Sequence, residues 1–261
     1  MTSTAAIFLP FAHELADAAR AVTLAYDGAA DNKDVAGGFD PVTEADRGAE
    51  RVMRDLIAAR HPDHGVSGEE FGETPGEGRW RWSIDPIDGT RSFICGLPSW
   101  TTLIALLDEG LPVLGIIDVP RLDERFVAAG EGAVVMTGGE PRPLAASGCR
   151  SLADARLSTT DPLLFAGAEA EGFERVRRAA KVARYGYDAY AYARLAAGGI
   201  DLVIEAGLKP HDYNALIPVV RGAGGIIGDW HGGSDFSAGA VVAAATPALY
   251  DAAVRALGAT S

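Results

Sequence analysis

Between Arg79 and Val135 the chain is dominated by short strand-like runs, residues 80–84, 101–107, 113–119 and 124–129. Asp108-Glu109-Gly110 and Pro120-Arg121 are turn formers that separate the last three. Strand-length runs joined by such signals predict an antiparallel meander. The first run leads into Asp85-Pro86-Ile87-Asp88-Gly89-Thr90, two carboxylates followed by a Gly-Thr turn. Pro86 is expected to turn the backbone out of regular pairing, Gly89 to let a ligand approach the main chain, and Thr90 to offer a hydroxyl. Hard oxygen ligands in this arrangement suit Mg2+, which keeps several waters and shares its shell with substrate phosphate. Asp, Pro and Gly are also the residues of an ordinary polar β-turn.

Other segments decide between the two. Upstream, Gly68-Glu69-Glu70 follows Val66-Ser67 in what reads as a short loop; downstream stand His211-Asp212-Tyr213 and, later, Ala223-Gly224-Gly225. With these the chain resembles the inositol monophosphatase family of Mg2+-dependent, lithium-sensitive phosphatases. The family's D-P-I-D-G-T-x-x-F-x-x-G-x-P motif is matched in full by residues 85–98, with Phe93, Gly96 and Pro98 in place. Asp40-Pro41-Val42-Thr43-Glu44-Ala45-Asp46 is similar to its D-x-V-T-x-x-D, and Ala223-Gly224-Gly225 to its closing A-G-G. The resemblance implies a layered αβαβα sandwich of mixed α+β and α/β class. An antiparallel N-terminal sheet with helices would fill residues 1–142 and carry the metal motifs. A mixed C-terminal sheet with helices would fill residues 143–261 and carry Asp212 and the specificity residues.

Composition bounds the partners. A formal net charge of −13 disfavours nucleic acid or an anionic membrane, since both need a basic patch. An anionic substrate is still admissible, because bound cations invert the sign of a carboxylate-rich site. No stretch reads as a membrane span. The apolar run at residues 5–11 lacks a basic flank and gives way to Glu14 and Asp17, so a cytoplasmic protein without a signal peptide is expected. Cys95 and Cys149 are then expected as reduced thiols, Cys95 as a packed core thiol.

Residues 11–26 carry apolar positions at helical spacing. The polar segment 31–38 reads as a surface loop; the resemblance implies a mobile flap in which Lys33 approaches phosphate. Thr43 is a plausible N-cap for a helix through Arg60 with Asp46 as its capping-box partner, a role that competes with metal ligation. In the second half, a turn at residues 138–141 precedes a strand at 157–160, helices at 169–179 and 187–197, and a strand at 200–205. Pro218 should bend the helix that follows Asp212.

The resemblance assigns roles residue by residue. Glu69, Asp85 and the Ile87 carbonyl would hold one Mg2+, and Asp85, Asp88 and Asp212 a second. Asp46 would serve a weaker third site. Two ions about 4 Å apart clamp attacking and leaving oxygens. Glu69 and Thr90 would orient and deprotonate the attacking water, without a phosphoenzyme. The backbone N–H groups of Gly89 and Thr90 would cradle phosphate, the Ile87 segment completing that wall. Glu70 could replace Glu69, although the family pattern puts the first glutamate in the site. His211 stands where the family usually has an aromatic residue.

Glu205 ends a strand at the place where inositol phosphatases position a carboxylate for ring hydroxyls. Asp188 replaces their usual small residue. An added acid implies a cationic substrate, so the chain is most similar to the histidinol-phosphate phosphatase branch, with Arg184, Gly186, Asp188, Glu205 and Asp212 as substrate contacts. Asp188 could instead stabilise a helix N-terminus, and Arg184 could be a salt-bridge partner or a solvated charge. An inositol-1-phosphate phosphatase of broad specificity is the alternative, and a non-catalytic partner protein on the same fold a third. The family is commonly homodimeric.

Overall fold

The structure, a computed structural model, describes residues 4–26, 31–32 and 41–258. Lys33, and with it the flap reading, lies outside the described residues.

Two helices form the first layer, α1 (Leu9–Ala25) and α2 (Glu44–Arg60), with a two-residue ribbon of β1 (Asp31–Asn32) and β2 (Pro41–Val42) between them in sequence. Their apolar stripes, including Phe11, Leu15, Met53 and Ile57, bury against one face of an eight-stranded sheet. That sheet contains β3 (Gly65–Gly68), β4 (Gly72–Thr74), β5 (Trp80–Asp88), β6 (Thr101–Asp108), β7 (Leu111–Val119), β8 (Glu124–Ala129), β9 (Ala133–Met136) and β10 (Arg142–Pro143). The order is β10-β9-β8-β7-β6-β5-β3-β4. From β5 to β10 it is the expected antiparallel meander. Only β3 departs, pairing parallel with β5.

The opposite face of this sheet supplies Leu103, Ala105, Ile117 and Phe126 to a second core. Along β6, Leu103, Ala105 and Leu107 serve that core while Ile104 and Leu106 serve the first, the two-residue period of a strand buried on both faces. The middle layer is α5 (Tyr190–Ala196) and α7 (Leu216–Gly222). Beyond it lies a five-stranded sheet of β11 (Arg156–Thr159), β12 (Val182–Tyr185), β13 (Leu202–Glu205), β14 (Ile226–Asp229) and β15 (Val241–Ala244), ordered β12-β11-β13-β15-β14. It is mixed: β11 runs parallel to β12 and β13, while β15 runs antiparallel to β13 and β14. Its outer face packs on α4 (Ala168–Ala179) and α8 (Pro247–Gly258) through Phe173, Val176, Leu249 and Ala253. The layers therefore read αβαβα. No described helix is long and apolar enough to cross a membrane.

Several local expectations need correction. Val66 and Ser67 are strand, not loop. Pro86 does not end its strand, because β5 continues to Asp88 through a bulge. The helix expected from residue 187 starts at Tyr190, leaving Arg184 on edge strand β12 and Asp188 in a turn at φ 46°. At Pro218 the expected loss of a backbone bond is met: Asn214 and Ala215 keep right-handed helical dihedrals, but Pro218 has no N–H for the Asn214 carbonyl, and the helix is interrupted there, between the short α6 (Pro210–Tyr213) and α7. Cys95 is exposed rather than packed in a core.

Candidate metal centre

Side chains of a strand alternate between two faces, so residues three apart should point to opposite sides. Asp85 and Asp88 escape this because Asp85 lies opposite Leu103 and Asp88 opposite Thr101, three steps on β5 against two on β6. The extra residue of the bulge turns both carboxylates the same way. The groups it removes from the ladder are satisfied locally: Ile87 N–H donates to Asp85 Oδ1 (3.0 Å), and the Pro86 carbonyl accepts from Thr102 Oγ1 (2.7 Å). Helix α6 brings in the third acid. Ligand oxygens of Asp85, Asp88 and Asp212 all lie within 4.8 Å of one another.

Each carboxylate is held by one oxygen or from one side. Asp88 Oδ2 accepts from the backbone N–H of Ala189 (2.7 Å) and from Thr101 Oγ1 (3.3 Å). Asp212 Oδ2 accepts from Lys209 N–H (2.7 Å), while Oδ1 lies 3.5 Å from His211 Nε2. Thr43 caps α2, and Asp46 closes the capping box through Oδ2, which accepts from Thr43 N–H (2.7 Å) and Oγ1 (2.6 Å). Asp46 Oδ1 is buried with no hydrogen-bond partner among the described residues. Capping and ligation therefore draw on different oxygens of one side chain. Glu69 follows β3, whose parallel pairing with β5 sets the two carboxyl ends at the same edge.

The electrostatics are those of a cation site. Burial raises the Asp85 pKa well above the usual carboxylate range, and the carboxylates of Glu69, Asp88, Asp212 and Asp46 push it further. Loss of solvent, then Asp188 and Asp212, does the same to Asp88. Asp46 and Asp212 are raised chiefly by burial. Mutually repelling carboxylates with an orphaned buried oxygen are complementary to a hard divalent cation. Mg2+ fits this donor set.

Beyond the acids, Gly89 adopts φ 83° as the N-cap of α3 (Thr90–Ile94), and a Cβ there would sit 2.7 Å from Asp188 Oδ2. Conformation and space both demand glycine. Thr90 Oγ1 donates to the Ile87 carbonyl (3.1 Å). Asp188 accepts from Ser92 Oγ (3.3 Å) and lies against the same turn. Glu205 is buried at the end of β13; its Oε1 accepts from Thr160 N–H (2.6 Å) and Oγ1 (3.0 Å), and Oε2 from Thr159 Oγ1 (3.2 Å). Burial lifts its pKa to about 8 against these donors, with help from Asp188. Gly186 turns the chain between β12 and α5 at φ 81°. Arg184 lines a cavity of about 330 Å³ with Arg156, Tyr187, Tyr190 and Arg194.

Tyr192 on α5 has no counterpart in the sequence reading. Its hydroxyl is buried without a hydrogen-bond partner among the described residues, and burial, then Glu205, Asp88 and Asp212, pushes its ionisation up. Spacing in α5 marks Tyr192 as core, and nothing in the pattern signals that its oxygen faces acids.

The sequence profile of the inositol monophosphatase family matches residues 7–260. A histidinol-phosphatase from Chlorobaculum parvum is 38% identical over 252 residues, 96% of each chain. The chloroplastic bifunctional phosphatase IMPL2 of Arabidopsis thaliana is 45% identical over 203 residues, 74% of this chain and 56% of that protein, so this chain matches little more than half of its length. Among solved structures, an inositol monophosphatase from Zymomonas mobilis superposes with a TM-score of 0.87 at 38% identity, covering 98% of this chain and 100% of the other.

Proposed function

The chain belongs to the inositol monophosphatase family, and from that premise we propose that it is a Mg2+-dependent phosphate monoesterase acting on histidinol phosphate. The observation that carries the reading is the Asp85–Asp88–Asp212 cluster beside the Gly89–Thr90 turn, with two further acids near it, half-buried Asp188 against that turn and buried Glu205.

Asp85, Asp88 and Asp212, with Glu69, the Ile87 carbonyl and Asp46 Oδ1, would hold Mg2+. When bound, it neutralises phosphoryl oxygens and makes a coordinated water more acidic. The protein's own part is positional. Thr90 Oγ1 donates to the Ile87 carbonyl and so presents its lone pairs outward, where one accepts a proton of the attacking water. Glu69 takes the other proton as the new P–O bond forms and the P–O bond to the alcohol breaks, and the departing alkoxide takes a proton from solvent water, to which Glu69 later returns its own. The N–H groups of Gly89 and Thr90 hold the phosphate in line.

Asp188 and Glu205 define the leaving-group side. Histidinol carries an ammonium and an imidazole; a neutral polyol carries neither. Glu205 holds its proton at neutral pH in the free enzyme and yields it as a cation settles nearby, because an adjacent positive charge favours the carboxylate. Thr159 and Thr160 fix its orientation in advance. A second reading, inositol-1-phosphate phosphatase, is favoured by the 38% identity to the Zymomonas mobilis enzyme, since an acid backed by threonines also accepts hydroxyl donors. Comparing kcat/KM for histidinol phosphate, inositol 1-phosphate and glycerol 2-phosphate, with and without Mg2+, tests both. Preference for histidinol phosphate is expected. Preference for inositol 1-phosphate selects the second reading, and absence of Mg2+-dependent phosphate release leaves a non-catalytic partner protein.

A further inference from the structure

Glu50 is fully buried on α2, one helical turn beyond Asp46 and on the same face. It does not cap its helix or join a hydrophobic cluster. Its Oε2 accepts from the backbone N–H of Glu70 (2.7 Å) and Oε1 from that of Phe71 (3.2 Å). Oε1 also accepts from Arg54 Nε (2.7 Å), and the Arg54 guanidinium continues to the Gly72 carbonyl and to Thr74 Oγ1 (3.0 Å). Glu50 thus fastens the two amides that follow Glu69 to α2, and Arg54 fastens the start of β4. The approach is close enough that a Cβ on Gly68 would lie 2.2 Å from Glu50 Oε1, so the residue before Glu69 has room for no side chain.

A buried carboxylate that accepts from two turn amides and one guanidinium fixes the backbone immediately after Glu69, while its close approach to Gly68 limits the residue before it. The same helix carries Asp46, whose carboxylate acts electrostatically with Glu69. We propose that Glu50 is a positioning residue for the metal centre, holding the turn so that Glu69 faces Asp85. The inference rests on the Mg2+ site proposed above and adds a residue that touches neither the cation nor the substrate. Partners that orient metal ligands from behind typically change metal affinity about 10- to 100-fold when altered.

Isothermal titration of Mg2+ into the protein tests this without reference to turnover. In Glu50→Gln, which keeps the shape but replaces one acceptor oxygen with a donor, the Mg2+ dissociation constant should rise about tenfold or more. Arg54→Met is the matched control: it removes one bond from the same carboxylate and the ties to Gly72 and Thr74 on β4, but leaves the two amides that follow Glu69 capped. It should lower the melting temperature in chelator about as much as Glu50→Gln while keeping Mg2+ affinity near wild type. If Glu50→Gln does not fold, Glu50→Asp carries the test, because it retains charge for Arg54 but withdraws the oxygens from the turn. Unchanged Mg2+ affinity in the Glu50 variant, or an equal loss in Arg54→Met, would overturn the proposal and reduce Glu50 to a structural tie. Wild-type protein that fails to bind Mg2+ removes the metal site itself, a different outcome from a wild type that binds and variants that match it.

Discussion

Asp88 Oδ2 accepts a 2.7 Å hydrogen bond from the backbone N–H of Ala189. This bond ties the last residue of β5, in the first sheet, to the residue after Asp188, in the loop that leads into α5. Asp188 is held at φ 46°, which asparagine and aspartate tolerate better than most residues. The acid cluster and the turn that carries Asp188 are therefore joined by one hydrogen bond, and substitutions must be chosen to leave it standing.

Asp88→Asn and Asp212→Asn keep an acceptor for Ala189 N–H and Lys209 N–H but lose a charge facing the cluster. Each should abolish Mg2+-dependent phosphate release while leaving the chelated protein folded. Near wild-type turnover at saturating Mg2+ in both variants would sink the assignment.

Thr90→Ala removes the hydroxyl that donates to the Ile87 carbonyl. A group that orients and helps deprotonate water contributes about 10²- to 10⁴-fold, so kcat should fall by that order with KM little changed. Thr90→Ser should restore much of the loss. A rise in KM with kcat intact would make Thr90 a binding residue.

Asp188→Asn fits the same backbone and still accepts from Ser92 Oγ, but no longer pairs with a cation. A charge-assisted hydrogen bond contributes roughly 1.5–3 kcal/mol, so kcat/KM for histidinol phosphate should fall at least tenfold while glycerol 2-phosphate is spared. Equal losses on both substrates would show that Asp188 supports the turn at Gly89 instead.

Asp85, Asp88 and Asp212 have folded pKa values raised above the unfolded value near 3.9. The sign is that of acids protonated preferentially in the folded state. Their stabilising contribution is complete below about pH 4 and is lost as pH rises through the folded values, and Glu205 extends the window to about 8. Each such group costs about 1.4 kcal/mol per pH unit across its window. His13, His61 and His64, lowered by burial, act oppositely below about pH 6.5. Mg2+ cancels only the contribution of the clustered acids and leaves that of Glu205 in place, so the gap in melting temperature between Mg2+ and chelator should widen as pH rises above about 4 through their folded values. A constant gap would contradict a cation held by this cluster.

The elements that could be read from sequence were those whose signals are local. Thr43 and Asp46 close the capping box anticipated from their spacing, and the turn formers at 108–110 and 120–121 delimit the strands they were expected to delimit. What was misread depends on tertiary context. Pro86 supports a turn and a bulge with the same chemistry, and only the partner strand decides between them. Val66 and Ser67 form a strand because β5 is alongside. Cys95 was expected inside, but its neighbours Ile94 and Leu97 are exposed with it, as residues at the rim of a site are. At the site, Asp85 and Asp88 could be picked out because their motif is contiguous. Glu50 and Tyr192 could not, since each shares a helix period with ordinary core positions and acts on residues distant in sequence.

The two walls of the site are built to different tolerances. Asp212 is presented by the break between α6 and α7, where Asn214 Nδ2 donates to Ser83 Oγ (3.2 Å), two residues before Asp85. That bond is buried between helix and strand, so drift in either element would displace two of the three clustered acids together. Asp188 sits on a connection between an edge strand and a short helix that touches β5 through the Ala189 N–H bond to Asp88, so its side chain can change without moving β5 only where that bond is kept. The acid cluster is thus braced from two elements at once, whereas Asp188 depends on a single turn, and a substitution there that keeps the Ala189 bond should leave the positions of Asp85 and Asp212 unchanged.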